Sequence, residues 1–185
     1  MSLDIILGSM FSGKTTEIIK YHNKFSIIYK TIIINHKSDS RYDSTDVITT
    51  HNKITLDAIK LQNLFDLDKN LYKESQFILI DESQFFPDLN IFVMKALKDE
   101  KNILVVGLNG DCDCKPFMNL MNLIPYADNV KHLTSMCHHC KIPTKGFMHF
   151  RLDKTNKDKV AVGGISDYVV LCRNHYNQAN QSSSE

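Results

Sequence analysis

No stretch of this 185-residue chain approaches the ~20 consecutive apolar residues that a membrane span requires. Apolar residues of a first strand begin at Leu3, which is expected to leave no room for a signal peptide. Net charge is nearly absent too: 22 Lys+Arg stand against 21 Asp+Glu, leaving +1, so no global field draws nucleic acid or an anionic membrane. Internal repeats are missing, and the one low-complexity stretch is the Asn/Gln/Ser-rich end, residues 177–185, which has little to bury and is expected to be disordered. What remains is expected to be a cytoplasmic globular protein with no membrane or nucleic-acid partner, local charged patches aside, in which 43% hydrophobic residues suffice for a core. The length suits one ordinary domain plus a small appendage. In a reducing compartment the five cysteines read as metal ligands or free thiols before they read as disulfides.

The most informative stretch runs LDIILGSMFSGKTT from Leu3 to Thr16. A short apolar run breaks into Gly8, Ser9, Met10, Phe11, Ser12, Gly13, Lys14 and Thr15, which fits G-x-x-x-x-G-K-[ST]. Glycines let the backbone curl until several N–H groups face one centre, the following helix start adds its positive end, Lys14 adds a full charge, and the Thr15 hydroxyl suits Mg²⁺. The guest this chemistry implies is a nucleoside triphosphate; the alternative is a plain Gly-rich turn between strand and helix.

Helical spacing of Ile18, Ile19, His22 and Phe25 predicts a helix over 15–25, and the β-branched run at 31–35 predicts a strand buried on both faces. Asp39, Ser40 and Arg41 follow at that strand's C-terminal end, the edge where open α/β sheets bind ligands, although a solvated loop reads equally well. Periodicity predicts a helix over 56–67. The strand at 76–80 then runs into Asp81, Glu82, Ser83, Gln84 and Phe85. An acidic residue at the tip of a buried strand, in a chain with a phosphate loop, is the candidate Mg²⁺-water ligand, here Asp81. Glu82, one residue further, is the candidate base for an acceptor hydroxyl. A helix over 87–100, a strand over 103–108, a short helix opened by Pro116 and running to 123, and a last core strand over 130–134 complete the pattern. Cys112 and Cys114 read as ordinary loop thiols before redox partners or metal ligands. Five strands alternating with helices argue for a parallel sheet covered on both faces.

Cys137 and Cys140 form a C-x-x-C pair, and Cys172 and His175 a C-x-x-H pair. Two such half-sites make one tetrahedral Zn²⁺ site, with His138 or His139 able to substitute for a cysteine and a non-metal role as the alternative; four protein ligands would close the shell and make the ion structural. The segment between them, 141–171, is Lys-rich and reads as a binding loop or lid. The expected division is 1–134 for the nucleotide-binding domain, 135–176 for the zinc lobe and 177–185 for the tail.

Together GSMFSGKTT, SDSRYD, ILIDESQFFPD, GLNG followed by KPF, CHHC, VGGISDY and CRNHY resemble the cytosolic, zinc-containing class of thymidine kinases, in the family's order and over nearly the whole chain. The resemblance implies an α/β fold with a P-loop RecA-like parallel sheet, helices on both faces, and a small zinc-binding lobe carrying a lasso-like lid. It implies ATP-Mg²⁺ at Gly8 to Thr15 with Asp39, Ser40, Arg41, Asp81, Glu82, Ser83 and Gln84 around it. Glu82 is then the base on the thymidine 5′-hydroxyl, and Arg41, with Lys14, stabilises transferring charge. Lys159, Val160, Ala161, Val162 and Gly163 are implied to read the pyrimidine edge through main-chain groups, with Tyr168 beside the nucleoside. Met10, Phe85, Leu108 and Phe117 are implied to line the base pocket, and a homotetramer is usual in the family. Two places depart from its pattern: Cys112 where an aromatic residue is common, and Met148-His149 where an aromatic and a small hydroxyl residue are expected. A kinase acting on another deoxynucleoside therefore stays open. So does a zinc-containing P-loop ATPase that binds nucleic acid, against which the near-neutral charge argues.

Overall fold

A computed structural model describes residues 1–39, 47–49, 55–152 and 167–181; of Thr49 only the backbone is described. Its centre is a six-stranded sheet built from β1 (Ser2–Gly8), β2 (Thr31–His36), β5 (Ile59–Leu61), β6 (Phe77–Ile80), β7 (Asn102–Leu108) and β8 (Asn129–Leu133). The order is β5-β2-β6-β7-β1-β8, and every pairing in it is parallel. All C-terminal strand ends therefore lie along one edge, where the turns after β1, β2, β6 and β7 gather.

Two apolar layers explain the sheet. Leu3, Ile5, Ile34, Ile78, Ile80, Ile103 and Val105 point to one face and meet Leu89, Phe92, Val93 and Ala96 of α3 (Leu89–Lys98). Alternate residues Ile6, Ile33, Leu79, Leu104 and Val106 point to the other and meet Ile18 and Ile19 of α1 (Lys14–Phe25). Near-continuous apolar runs mark strands covered on both sides, so four of the expected strands are found within a residue of where the pattern put them.

Three expectations are corrected. Residues 56–67 form no helix: β4 (Thr55–Asp57) pairs with β3 (Val47–Thr49), β5 extends the main sheet, and a 3₁₀ turn covers Leu64–Asp66. Ile59 and Leu61 have the two-residue period of a strand, and Ile34 lies across from Ile59, so pairing with β2 overrides the local helical pattern. β8 is an exposed edge strand and not a core strand, because among the described residues it pairs with β1 on one side alone. Finally, α5 (Arg173–Gln181) is helical beyond residue 176, and 182–185 lie outside the described residues. The pattern also missed α2 (Lys69–Glu74), which Asp68 caps through its carboxylate on the N–H groups of Asn70 and Leu71. The short helix past Pro116 is confined to α4 (Met118–Met121).

The zinc-lobe segment adds two hairpins, β9 (Ser135–Met136) with β10 (Lys145–Gly146) and β11 (Met148–Arg151) with β12 (Tyr168–Leu171). Val169 and Leu171 of β12 turn toward Cys137 and α5, whereas Tyr168 and Val170 turn toward Met10. The lobe thus packs against the turn after β1.

Candidate functional site

The turn after β1 carries the first group of candidates. Gly13 has φ +85°, a left-handed conformation that glycine adopts without cost, and it precedes the first residue of α1. Lys14 is buried and its Nζ donates to the Ser9 carbonyl at 2.9 Å, so the side chain folds back over the turn. Ser12 Oγ is buried with no hydrogen-bond partner among the described residues, a donor placed at a curled backbone beside a lysine. That arrangement fits an anionic guest such as a triphosphate. Ser9 and Met10 face the other way: Ser9 Oγ lies 3.4 Å from Ser135 Oγ and from the Gly146 carbonyl, and the Met10 N–H donates to His149 Nε2 at 2.9 Å. Phe11 stands at φ 60° and is partly exposed at the tip, and Thr15 is the second residue of α1.

At the tip of β6, Asp81 and Glu82 are 2% and 5% exposed, which is unusual for two adjacent carboxylates. Burial first, and the Glu82 charge second, push the Asp81 carboxyl well above the usual carboxylate range, with Lys14 acting in the opposite sense. A cation beside it would relieve that cost. Glu82 holds φ 47°, a left-handed conformation that costs a non-glycine residue roughly 1–2 kcal/mol. Two hydrogen bonds hold it there: its N–H donates to Asp81 Oδ1 at 2.9 Å, and Gln84 Nε2 donates to its Oε2 at 2.6 Å. The Gln84 amide is fixed at its other end by Leu108, whose N–H donates to Oε1 at 3.1 Å. Asn119 Nδ2 donates to both the Gln84 and Phe86 carbonyls at 2.9 Å.

Gly107 makes this packing possible. A Cβ there would come within 2.7 Å of Gln84 Oε1, Ser83 Oγ and Leu120 Cδ2. A glycine inside an otherwise β-branched strand is a sequence signal of close approach, and it was the available clue to the Gln84 arrangement. Asn119, a polar residue in an apolar short helix, gave no comparable signal.

On the lobe side, Met10, Leu108, Cys112, Tyr168 and Val170 form one apolar cluster. Phe117 packs with the larger core instead, and the Phe85 ring lies 5.6 Å from that of His36. The Tyr168 hydroxyl accepts from Arg151 Nε at 3.1 Å and Nη2 at 2.7 Å. Tyr176 of α5 donates to the Cys112 carbonyl at 2.5 Å. His149 is buried among these residues, with Nδ1 2.9 Å from the Gly110 carbonyl, and burial first and Lys14 second hold its pKa down to about 4. Asp39 accepts from Asn35 Nδ2 at 3.0 Å at the tip of β2. Ser40, Arg41, Lys159, Val160, Ala161, Val162 and Gly163 lie outside the described residues.

The ligand atoms of Cys137, Cys140, Cys172 and His175 all lie within 4.8 Å of one another. His175 Nδ1 is 3.5 Å from Cys137 Sγ and 3.4 Å from the sulfurs of Cys140 and Cys172, and those two sulfurs are 3.9 Å apart. A tetrahedral Zn²⁺ with ordinary bond lengths requires about 3.8 Å between sulfurs and about 3.6 Å between sulfur and nitrogen. The donor set and its spacing therefore suit a closed zinc shell. Burial pushes the Cys137 thiol up, but hydrogen bonds from the backbone at Cys172 and His139 and from His175 outweigh it and bring it down to about 6, toward the thiolate a metal needs.

Residues 1–176 match the thymidine kinase family. The chain is 35% identical to the thymidine kinase of Choristoneura fumiferana entomopoxvirus over 186 residues, covering 97% of this chain and 98% of that protein. It is 34% identical to the thymidine kinase of Variola virus over 175 residues, covering 94% and 96%. To the cytosolic thymidine kinase of Homo sapiens it is 34% identical over 172 residues, covering 92% of this chain and 71% of the human one.

Proposed function

The chain belongs to the thymidine kinase family, and from that premise we propose how its residues divide the work of moving the γ-phosphoryl group of ATP to the 5′-hydroxyl of thymidine. The enzyme is a phosphotransferase of nucleotide salvage. Phosphoryl transfer asks little covalent chemistry of a protein, so positioning and charge neutralisation carry it.

In this proposal the N–H groups of Gly8 to Thr15, Ser12 Oγ and Lys14 hold the triphosphate. Thr15 and Asp81 would hold Mg²⁺, which would supply neutralisation of the phosphate charge. Glu82 takes the 5′-hydroxyl proton, and Arg41 is assigned to the transferring phosphoryl on the resemblance alone. Thymidine lies on the lobe side, against Met10, Leu108 and Tyr168. Lys159 to Gly163 read its base, and Cys112 and His149 border it. Phe85 and Phe117 are assigned to its surroundings on the resemblance alone.

The observation that carries the reading is the placement of the buried Asp81–Glu82 pair at the tip of β6, two strands from Gly8 at the tip of β1. Strand spacing sets that lateral separation at about 10 Å, room for a phosphoryl group and a sugar hydroxyl in line. The zinc ion belongs to the Cys137, Cys140, Cys172, His175 cluster and has a structural role. A cytoplasmic homotetramer completes the proposal, with exposed Ile91, Met118 and Tyr126 as apolar surface for subunit contacts.

A panel of nucleosides with ATP and Mg²⁺ tests this, thymidine being converted to its 5′-monophosphate. Glu82→Gln is expected to lower kcat by about 100-fold or more while nucleoside affinity stays within about threefold. Turnover near the parental rate in that variant removes Glu82 from the role of base. A panel in which thymidine is untouched removes the acceptor assignment.

A further inference from the structure

Three backbone segments meet at one imidazole. His149 stands on β11, 3% exposed, with Nε2 2.9 Å from the Met10 nitrogen and Nδ1 2.9 Å from the Gly110 oxygen. A backbone N–H can only donate and a carbonyl can only accept, so Nε2 is the acceptor and Nδ1 carries the proton. The ring is thereby held as one neutral tautomer with both nitrogens satisfied, and protonation at Nε2 would set two donors against each other. Val170, across the hairpin from His149, packs with Met10 and Tyr168, so the contact is sealed by apolar side chains.

The partners matter more than the burial. Met10 lies in the entry turn of the loop that holds Lys14, Gly110 lies in the turn after β7, and His149 belongs to the lobe hairpin whose other strand starts at Tyr168. Ser9, next to Met10, also touches the lobe through Ser135 and Gly146. Those two Ser9 contacts are long, at 3.4 Å, whereas both His149 bonds are short.

We propose that His149 is a positioning residue: as the neutral Nδ1–H tautomer it locks the entry turn of the Gly8–Thr15 loop to the lobe hairpin, so that ATP binding and nucleoside binding are energetically coupled. This rests on the reading above that ATP sits at the loop and the nucleoside against the lobe. A shift of the hairpin toward the nucleoside then carries Met10 with it, and the ATP cradle answers in kind, since coupling between two sites is reciprocal.

Calorimetry with a non-hydrolysable ATP analogue and Mg²⁺, with and without saturating thymidine, reads the coupling. ¹⁵N NMR of the imidazoles, with His149 identified by its loss in His149→Phe, reads the tautomer. Expected are the Nδ1–H form for His149 and analogue affinity tightened about fivefold or more by thymidine in the parent protein. His149→Phe, which keeps a ring and removes both hydrogen bonds, is expected to reduce that factor to less than about twofold. His149→Gln, with one donor and one acceptor, should restore part of it. An Nε2–H tautomer, no coupling in the parent, or undiminished coupling in His149→Phe overturns the proposal. If His149→Phe does not fold, as judged by melting and zinc content, the tautomer and the His149→Gln coupling decide. A failure of the thymidine reading looks different: no heat of thymidine binding at all, with the Nδ1–H signature intact, after which the nucleoside accepted in the panel replaces thymidine.

Discussion

The Gln84 side-chain amide bridges Glu82 and Leu108, donating to the Glu82 carboxylate at 2.6 Å and accepting from the Leu108 N–H at 3.1 Å. The tip of β6 is thereby tied to the end of β7, and a left-handed residue with a buried charge is kept in one orientation. Hydrogen bonds to a charged group are worth about 1.5–3 kcal/mol, comparable to the backbone strain at Glu82.

Gln84→Met keeps length and apolar volume but removes both bonds. It is expected to lower kcat about 10- to 100-fold with a smaller change in the KM for thymidine, because the carboxylate is mispositioned and not removed. Gly107→Ala should reproduce the loss with Gln84 intact, since its Cβ would press on the amide oxygen from 2.7 Å. Steady-state kinetics on the two variants, each checked for a native melting transition, decides the matter.

Much of this was legible in the chain. Runs of Ile, Leu and Val fixed β1, β2, β6 and β7, because strands covered on both faces leave an unbroken apolar signature, and Asp81 and Glu82 stand out as candidates because two carboxylates ending a buried strand are conspicuous. Cys137, Cys140, Cys172 and His175 were legible because ligand spacing reflects coordination geometry directly. The strand at 59–61 was not, since the spacing of Leu56 and Ile59 is helical while that of Ile59 and Leu61 is a strand's, and only the neighbouring β2 decides between them. Nor were the bonds of His149, whose partners Met10 and Gly110 are distant in sequence and contribute only backbone atoms.

Burial makes the Asp81 charge costly. In the folded, metal-free protein its carboxyl is raised, first by burial and then by Glu82, so it holds a proton at pH values where the unfolded chain has released it. Its contribution to stability is therefore favourable in acid and declines as pH rises through the raised pKa. Asp81→Asn is expected to melt higher than the parent at pH 8 without nucleotide, yet to lose most of the stabilisation that ATP-Mg²⁺ gives the parent. Thermal melts with and without ATP-Mg²⁺ read both effects; equal nucleotide-induced shifts in the two proteins would remove Asp81 from the metal site.

His149 has the opposite sign. Its folded pKa is held down to about 4 from an ordinary 6.5, so the unfolded chain binds the extra proton first. Stability from this group is fully present above about pH 6.5 and lost as pH falls toward 4, by about 3 kcal/mol in all. Urea unfolding between pH 7 and 4.5 should show this decline in the parent and a flatter one in His149→Phe, and parallel pH dependences would contradict the buried neutral ring.

Zinc removal tests the lobe. Its apolar cluster is small, centred on Cys137, Val169 and Leu171 with Phe150 and Tyr176 against it, too little to hold two short hairpins and the start of α5 without help. Binding of a structural zinc ion can supply about 10–16 kcal/mol of apparent folding free energy, well beyond what those side chains contribute. The purified protein should carry one zinc per chain, and a strong chelator should unfold the lobe while the six-stranded sheet, with its own two apolar layers, keeps its far-ultraviolet signature. Because Ser9 and Met10 lean on Ser135, Gly146 and His149 of that lobe, ATP affinity should fall along with the zinc content. Cys172→Ser should repeat both losses without a chelator, and a zinc-free protein that binds ATP as tightly as the zinc-bound one would break the link between lobe and loop.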